Sequence, residues 1–110
     1  MPKKHRLSRA DLARTRRAPA RRARGEYFTL AVTALPAGSS AKVACIVSKK
    51  IAKRAPDRNT IERRAREALR PLITHIRAPL ALVFTAIRGA REASYAEIER
   101  DITKLLDKVR

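Results

Sequence analysis

Residues 47–69 read VSKKIAKRAPDRNTIERRAREAL: a hydrophobic strand end, a Ser-Lys-Lys turn, then a helix whose apolar and cationic residues segregate. At about 100° per residue, Asn59, Arg63, Arg66 and Arg70 fall within roughly 60° of one another, while Ile61, Ala65, Ala68, Leu69 and Leu72 gather on a different side. A helix divided in this way must pack by one face and expose the other, so the chain needs a second layer to cover the apolar stripe. Its candidate interface is cationic, with Lys49, Lys50 and Lys53 on the turn reinforcing Asn59, Arg63, Arg66 and Arg70 on the helix. Basic helix faces are commonly just solvated. Here the acids are too few to pair the arginines, and Glu62 and Glu67 offer only local helix pairs worth about 0.2–0.5 kcal/mol each.

The 110 residues carry 27 Lys and Arg against 10 Asp and Glu, a formal net charge of +17. Residues 1–24 hold 10 basic and 1 acidic side chains, residues 25–46 balance, residues 47–70 hold 9 against 3, and residues 71–110 hold 7 against 5. Two basic zones flank a neutral one, and such a chain repels itself unless a polyanion neutralises it. Arginine outnumbers lysine, and its planar fork suits phosphate oxygens and the faces of bases. The length fits one domain over residues 1–110 with a modest core. Cys45 is the single cysteine and has no internal disulfide partner; it reads as a small buried strand residue in a reduced, cytoplasmic setting. No run approaches the roughly 18 apolar residues of a membrane span. The Arg-rich first 24 residues superficially resemble an organelle transit peptide, but only Ser8 and Thr15 are hydroxylic, which argues against targeting.

Ser8 followed by Asp11 has capping-box spacing and predicts a short helix over residues 9–17, limited by Pro19. Residues 20–25 contain three arginines without periodicity and read as a solvated connection able to clamp onto phosphates. Residues 26–35 predict a strand with Phe28, Leu30 and Val32 on a buried face and Tyr27, Thr29, Ala31 and Thr33 on a more open one. After turn residues 36–40, a second strand over 42–47 is most simply its antiparallel hairpin partner, with Ala44, Ile46 and Ser48 sharing the open face. Asp57 is the expected N-cap of the arginine helix, which should end near Ile76, ahead of Pro79. Residues 80–87 predict a third, central strand broken by Gly89. The capping box SYAE at 94–97 opens a closing helix with Tyr95, Ile98, Ile102, Leu105, Leu106 and Val109 as its stripe. The order αββαβα predicts a small α+β sandwich with helices on one sheet face.

Autonomous catalysis finds little support. His5 and His75 lack a cysteine or carboxylate cluster at metal-ligand spacing, and no serine or cysteine nucleophile has an evident base. Capping and ion pairing account for Asp11, Asp57, Glu62 and Glu67 better than Mg²⁺ binding does. No catalytic residue, protein metal ligand or small-molecule substrate is expected.

VSKK at 47–50 followed by RNxxxRxxRE at 58–67 resembles the signature of the bacterial ribonuclease P protein subunit. KKHRLSRADL at 3–12 and the closing helix at SYAE are similar to that family's opening and close, so the likeness spans nearly the whole chain. The resemblance implies an RNA-binding, non-catalytic subunit of an endoribonuclease that removes the 5′ leader of precursor tRNA. Hydrolysis would belong to the RNA subunit, with Mg²⁺ bound mainly by that RNA and the substrate; the implied partners are the ribonuclease P RNA and precursor tRNA. It also implies a left-handed βαβ crossover of the kind found in a small ribosomal-protein domain, against the usual right-handed preference. Arg58, Asn59, Arg63 and Arg66 would approach the catalytic RNA, with Lys49, Lys50, Lys53 and Arg70 extending the contact. The open sheet face and first helix would form the leader cleft, with Thr29, Ala31, Ile46 and Ser48 walled by Leu12 and Arg16; Leu12 and Ile46 can alternatively be read as core residues. Residues 1–24 are expected to be partly flexible without RNA.

The chain departs from the family pattern where aromatics often stand, at Leu12 and near Arg16 and Ala31, and where Arg or Lys often replaces Thr60 and Glu62. Gly is common near Ala44 and Ala52, and the link at Ala55 and Pro56 is often shorter. The alternative function is a ribosomal protein or general RNA chaperone of similar fold, followed by a DNA-binding protein.

Overall fold

Phe28, Leu30 and Val32 are buried and alternate with Thr29, Ala31 and Thr33, so a period of two sets both the strand and the face it turns to the core. The structure, a computed structural model, describes residues 5–8, 10, 12, 13 and 21–109. Its elements in chain order are β1 (Arg21–Arg24), β2 (Phe28–Ala34), β3 (Lys42–Ile46), helix α1 (Ala55–Ile73), β4 (Leu80–Ala86) and helix α2 (Tyr95–Val109). Ahead of β1, Ala10, Leu12 and Ala13 are helical, and the Leu12 N–H donates to the Ser8 carbonyl at 2.9 Å. Asp11 and the remainder of the expected first helix lie outside the described residues.

The strands form one four-stranded sheet in the order β1-β2-β4-β3. β4 is the central strand expected from its apolar run: it pairs antiparallel with β2 and parallel with β3. The expected β2–β3 hairpin is therefore wrong. β4 is apolar on both faces and gains most from two neighbours, so it inserts between β2 and β3 and leaves the half-exposed β3 at an edge. β3, α1 and β4 consequently make a crossover between adjacent parallel strands.

A second difference lies at residues 21–24, expected as a connection but folded as β1, antiparallel to β2 with Arg22 opposite Ala31 and Arg24 opposite Thr29. Two features hold the turn between them. The Gly25 N–H donates to the Phe28 carbonyl at 2.8 Å, and the Asp101 carboxylate of α2 accepts the N–H groups of Glu26, Tyr27 and Phe28 at 2.7, 2.9 and 3.0 Å. Asp101 is 5% exposed, and these bonds satisfy a carboxylate inside the apolar stripe of α2.

Both helices cover the same sheet face. Ile61, Ala65, Ala68, Leu69 and Ile73 of α1 and Ile98, Ile102, Leu105, Leu106 and Val109 of α2 meet the inward residues of β2, β3 and β4 in one core. Phe28 and Phe84 sit in that core fully buried, each worth about 1.5–3 kcal/mol of burial. The α2 capping box forms as expected: the Ser94 N–H donates to Glu97 Oε1 at 2.9 Å and the Glu97 N–H to Ser94 Oγ at 3.2 Å. Tyr95 leaves the predicted stripe and is 38% exposed, because the first helical residue precedes the turn that touches the sheet.

α1 starts two residues before the expected cap. Arg54 is the N-cap with no side-chain cap bond, Pro56 lies in the first turn, where its missing N–H costs nothing, and Asp57 supplies a first-turn negative charge instead. The helix ends at Ile73, short of Ile76, with Pro71 in its last turn. Ile76 still packs against the core beyond the helix end. His5, expected in a loose basic tail, is 5% exposed, with Nδ1 2.7 Å from the Ala41 carbonyl. Arg6 bridges to Val43 along the outer edge of β3.

Candidate nucleic-acid interface

The turn between β3 and α1 is closed by the Ser48 carbonyl, which accepts the N–H groups of Ile51 and Ala52 at 3.1 and 3.2 Å. Ala52 is buried and Ile51 packs half-buried against the core, whereas Ser48, Lys49, Lys50 and Lys53 are exposed, so the fold pins the turn by its two apolar residues and presents its cations to solvent. Arg58, expected as an RNA contact, is half-buried and turns back: its Nη1 donates to the carbonyls of Ala52 at 3.0 Å and Lys53 at 2.7 Å. It ties the lysine turn to the first turn of α1.

Asn59, Arg63, Arg66 and Arg70 are all exposed on α1, opposite its buried stripe, as the helical winding requires. Arg63, Arg66 and Arg70 have no described ion pair, while Asp57 is engaged by Arg91 at 3.6 Å. Arg64, one residue from the basic face, is half-buried and donates Nη1 to the Ala93 carbonyl at 2.9 Å. The helix thus separates arginines that build the fold, Arg58 and Arg64, from arginines that face outward. The helix pairs expected of Glu62 and Glu67 are not among the described ion pairs.

Glu62 is half-buried and borders a cleft of about 230 Å³ between α1, the edge of β3 and the segment at Arg6 and Leu7. Arg66 shares this cleft, as does Cys45, whose thiol pKa is pushed up to about 12, first by burial and then by Glu62, with Arg66 opposing. Cys45 is half-buried and packs against the core, and its thiol stays protonated.

Of the residues expected to line a leader cleft, Thr29, Ala31 and Ile46 lie on one face of the sheet. Residues paired across the sheet share a face, which aligns Arg24, Thr29, Thr85 and Ile46 in one row, and Arg22, Ala31, Val83 and Ala44 in the next. Both rows lie on the face away from α1 and α2. Thr29, Ala31 and Ile46 are half-buried, and Ile46 stands outside the core cluster, which removes the core reading for that residue. Leu12 is half-buried, and Arg16 lies outside the described residues. β4, placed between β2 and β3, adds Thr85 and Val83 to this face, which a hairpin reading of the sequence had no means of including.

Sequence reasoning missed Asp101 and β1. Asp101 was signalled by its phase, three residues after Ile98 on the buried stripe. Among the described residues no group of three or more His, Cys, Asp or Glu stands close enough together to hold a metal ion. No helix among them is long and apolar enough to cross a membrane.

A family model described as Ribonuclease P matches residues 1–110. A ribonuclease P protein component from Picosynechococcus sp. is 31% identical over 106 residues, covering 96% of this chain and 90% of that relative. One from Thermus oshimai is 44% identical over 99 residues, covering 89% of this chain and 60% of that relative's length. Among solved structures, the Staphylococcus aureus RNase P protein is similar with a TM-score of 0.85 at 21% identity, covering 96% of this chain and 95% of that one. The Thermotoga maritima RNase P protein is similar with a TM-score of 0.81 at 19% identity, covering 96% and 97%. At these identities the two structures show a shared fold.

Proposed function

The chain belongs to the ribonuclease P protein family, and from that premise we propose that it binds the catalytic RNA through α1 and the lysine turn, and the 5′ leader of precursor tRNA through the open sheet face. In this reading it promotes endonucleolytic 5′ maturation of tRNA while the RNA subunit carries out hydrolysis. The observation that carries it is the division of α1: Arg63, Arg66 and Arg70 are exposed and free of described carboxylates, beside a hydrogen-bonded turn bearing Lys49 and Lys50. Packing is satisfied by the other side of the same helix, so the outward cations are available to phosphate.

Single-stranded RNA is bound by basic grooves with surfaces on which bases rest, and the rows through Thr29 and Ala31 supply a shallow apolar surface of that kind. In this reading Mg²⁺ would be held mainly by the RNA and the substrate, where it would supply the chemistry that activates a water for attack. The protein contributes neutralisation of phosphate charge, which favours close approach of two RNAs.

Reconstitution with a cognate RNA subunit at low Mg²⁺ tests the proposal: addition of the protein should stimulate leader removal. Binding of structured RNA without stimulation would support a ribosomal-protein or chaperone role instead. Leader cleavage by the protein after exhaustive RNA removal would overturn the non-catalytic assignment.

A further inference from the structure

The chain contains two Phe, two Tyr and no Trp, and the fold accounts for all four aromatics away from the open sheet face. Phe28 and Phe84 are in the core at 0% exposure. The Tyr27 hydroxyl donates to Glu97 on α2 at 2.8 Å, and Tyr95 lies on α2 itself. A single strand laid across the rows of Thr29 and Ala31 therefore meets no aromatic ring to stack on. That removes a contribution of about 1–3 kcal/mol per base.

The same face has a cationic border. β1 is the edge strand beyond β2, and its register turns Arg22 and Arg24 to the open side, opposite Ala31 and Thr29. Both are exposed, and neither guanidinium has a described hydrogen-bond or ion-pair partner. Two residues apart on a strand, they stand about 7 Å from each other, a step comparable to that between phosphates of an extended nucleic-acid strand. Lys108 Nζ donates to the Arg24 carbonyl at 3.1 Å and adds positive charge at this end of the sheet. None of the residues in the two rows is acidic.

Resting on the proposed leader-binding role, we propose that Arg22 and Arg24 grip consecutive phosphates of the single-stranded leader at the β1 border of the open face, so that leader affinity in this chain depends on charge in place of aromatic stacking. Guanidinium groups suit the task because they bond phosphate oxygens in pairs and can also lie against a base. The competing account is that charged side chains on an edge strand merely deter strand addition by another molecule.

The test uses the holoenzyme reconstituted with its RNA subunit, and compares fluorescent precursor tRNA with mature tRNA over a range of KCl. Arg22→Gln combined with Arg24→Gln should weaken precursor binding about tenfold or more. The slope of log affinity against log salt should become shallower by about 1.4, the value for two single-strand phosphates. Mature tRNA binding should stay as in the wild type, and the Lys pair at the same positions should keep most of the slope. In the wild-type particle, precursor tRNA but not mature tRNA should shield Arg22 and Arg24 from phenylglyoxal, a readout that requires no variant. Unchanged precursor affinity and slope, or equal losses on both tRNAs, would overturn the proposal in a particle whose wild type prefers precursor. A wild-type particle without that preference would overturn the leader-binding role itself.

Discussion

The carboxylate of Asp101 occupies the space that a side chain on Gly25 would need: a Cβ built on Gly25 would lie 2.8 Å from the Asp101 Cγ. Glycine is required there by close approach, and the approach exists because three successive N–H groups of the β1–β2 turn converge on one carboxylate. This contact anchors the arginine-bearing edge strand to the last helix.

Asp101→Ala leaves three N–H donors without their acceptor and should destabilise the fold by about 3 kcal/mol or more, measured by urea denaturation. Gly25→Ala should cost about 1–3 kcal/mol by overpacking. Because the clash needs both residues, the double variant should be more stable than the sum of the single losses predicts, by about 1 kcal/mol or more. Strict additivity would show that the two do not interact.

The two classes of arginine on α1 should separate experimentally. Arg58→Ala frees the Ala52 and Lys53 carbonyls and should lower unfolding stability by about 1–2 kcal/mol. Arg63→Ala and Arg66→Ala should change stability by no more than about 0.5 kcal/mol. Each should instead weaken RNA binding and reduce its salt slope by about 1. Unchanged slopes for both would mark the exposed arginines as a solvated face.

Glu97 has its carboxyl pKa held below the ordinary range, chiefly by the Ser94 N–H and then by the Tyr27 hydroxyl. A carboxylate depressed in the folded state adds stability above its unfolded pKa of about 4.3, and this is lost as pH falls through the lower folded value. Glu97→Gln should therefore lower the melting temperature at neutral pH, and the gap to wild type should close as the solution is acidified below about pH 4.3. A gap constant from neutral to acid pH would exclude this charge linkage.

Leu12→Phe would add the aromatic surface that the sheet face lacks. If Leu12 lines the leader path, the variant should bind leader-bearing precursor tRNA about fivefold more tightly, the lower end of one base-stacking contribution. Mature tRNA should bind as before. Equal tightening of both substrates would place Leu12 away from the leader.

Local pattern was enough to locate most elements: the alternation of Phe28, Leu30 and Val32, the SYAE box and the two faces of α1 are all set by residues a few positions apart. The same periodicity identified Arg63, Arg66 and Arg70 as outward cations, and the parity of Thr29, Ala31 and Ile46 put them on one sheet face. Tertiary structure decided which strand lies beside which. A period of two states which side a residue faces but carries no information on partners, so β4 could displace the expected hairpin by burying both its faces between β2 and β3. Position alone could not distinguish Arg58 and Arg64 from Arg63 and Arg66, because their roles depend on carbonyl groups brought near by the fold. The four residues of β1 have weak strand character of their own. They become a strand through pairing with β2, beside a turn held by the distant Asp101, and the register of that pairing turns Arg22 and Arg24 toward the open face.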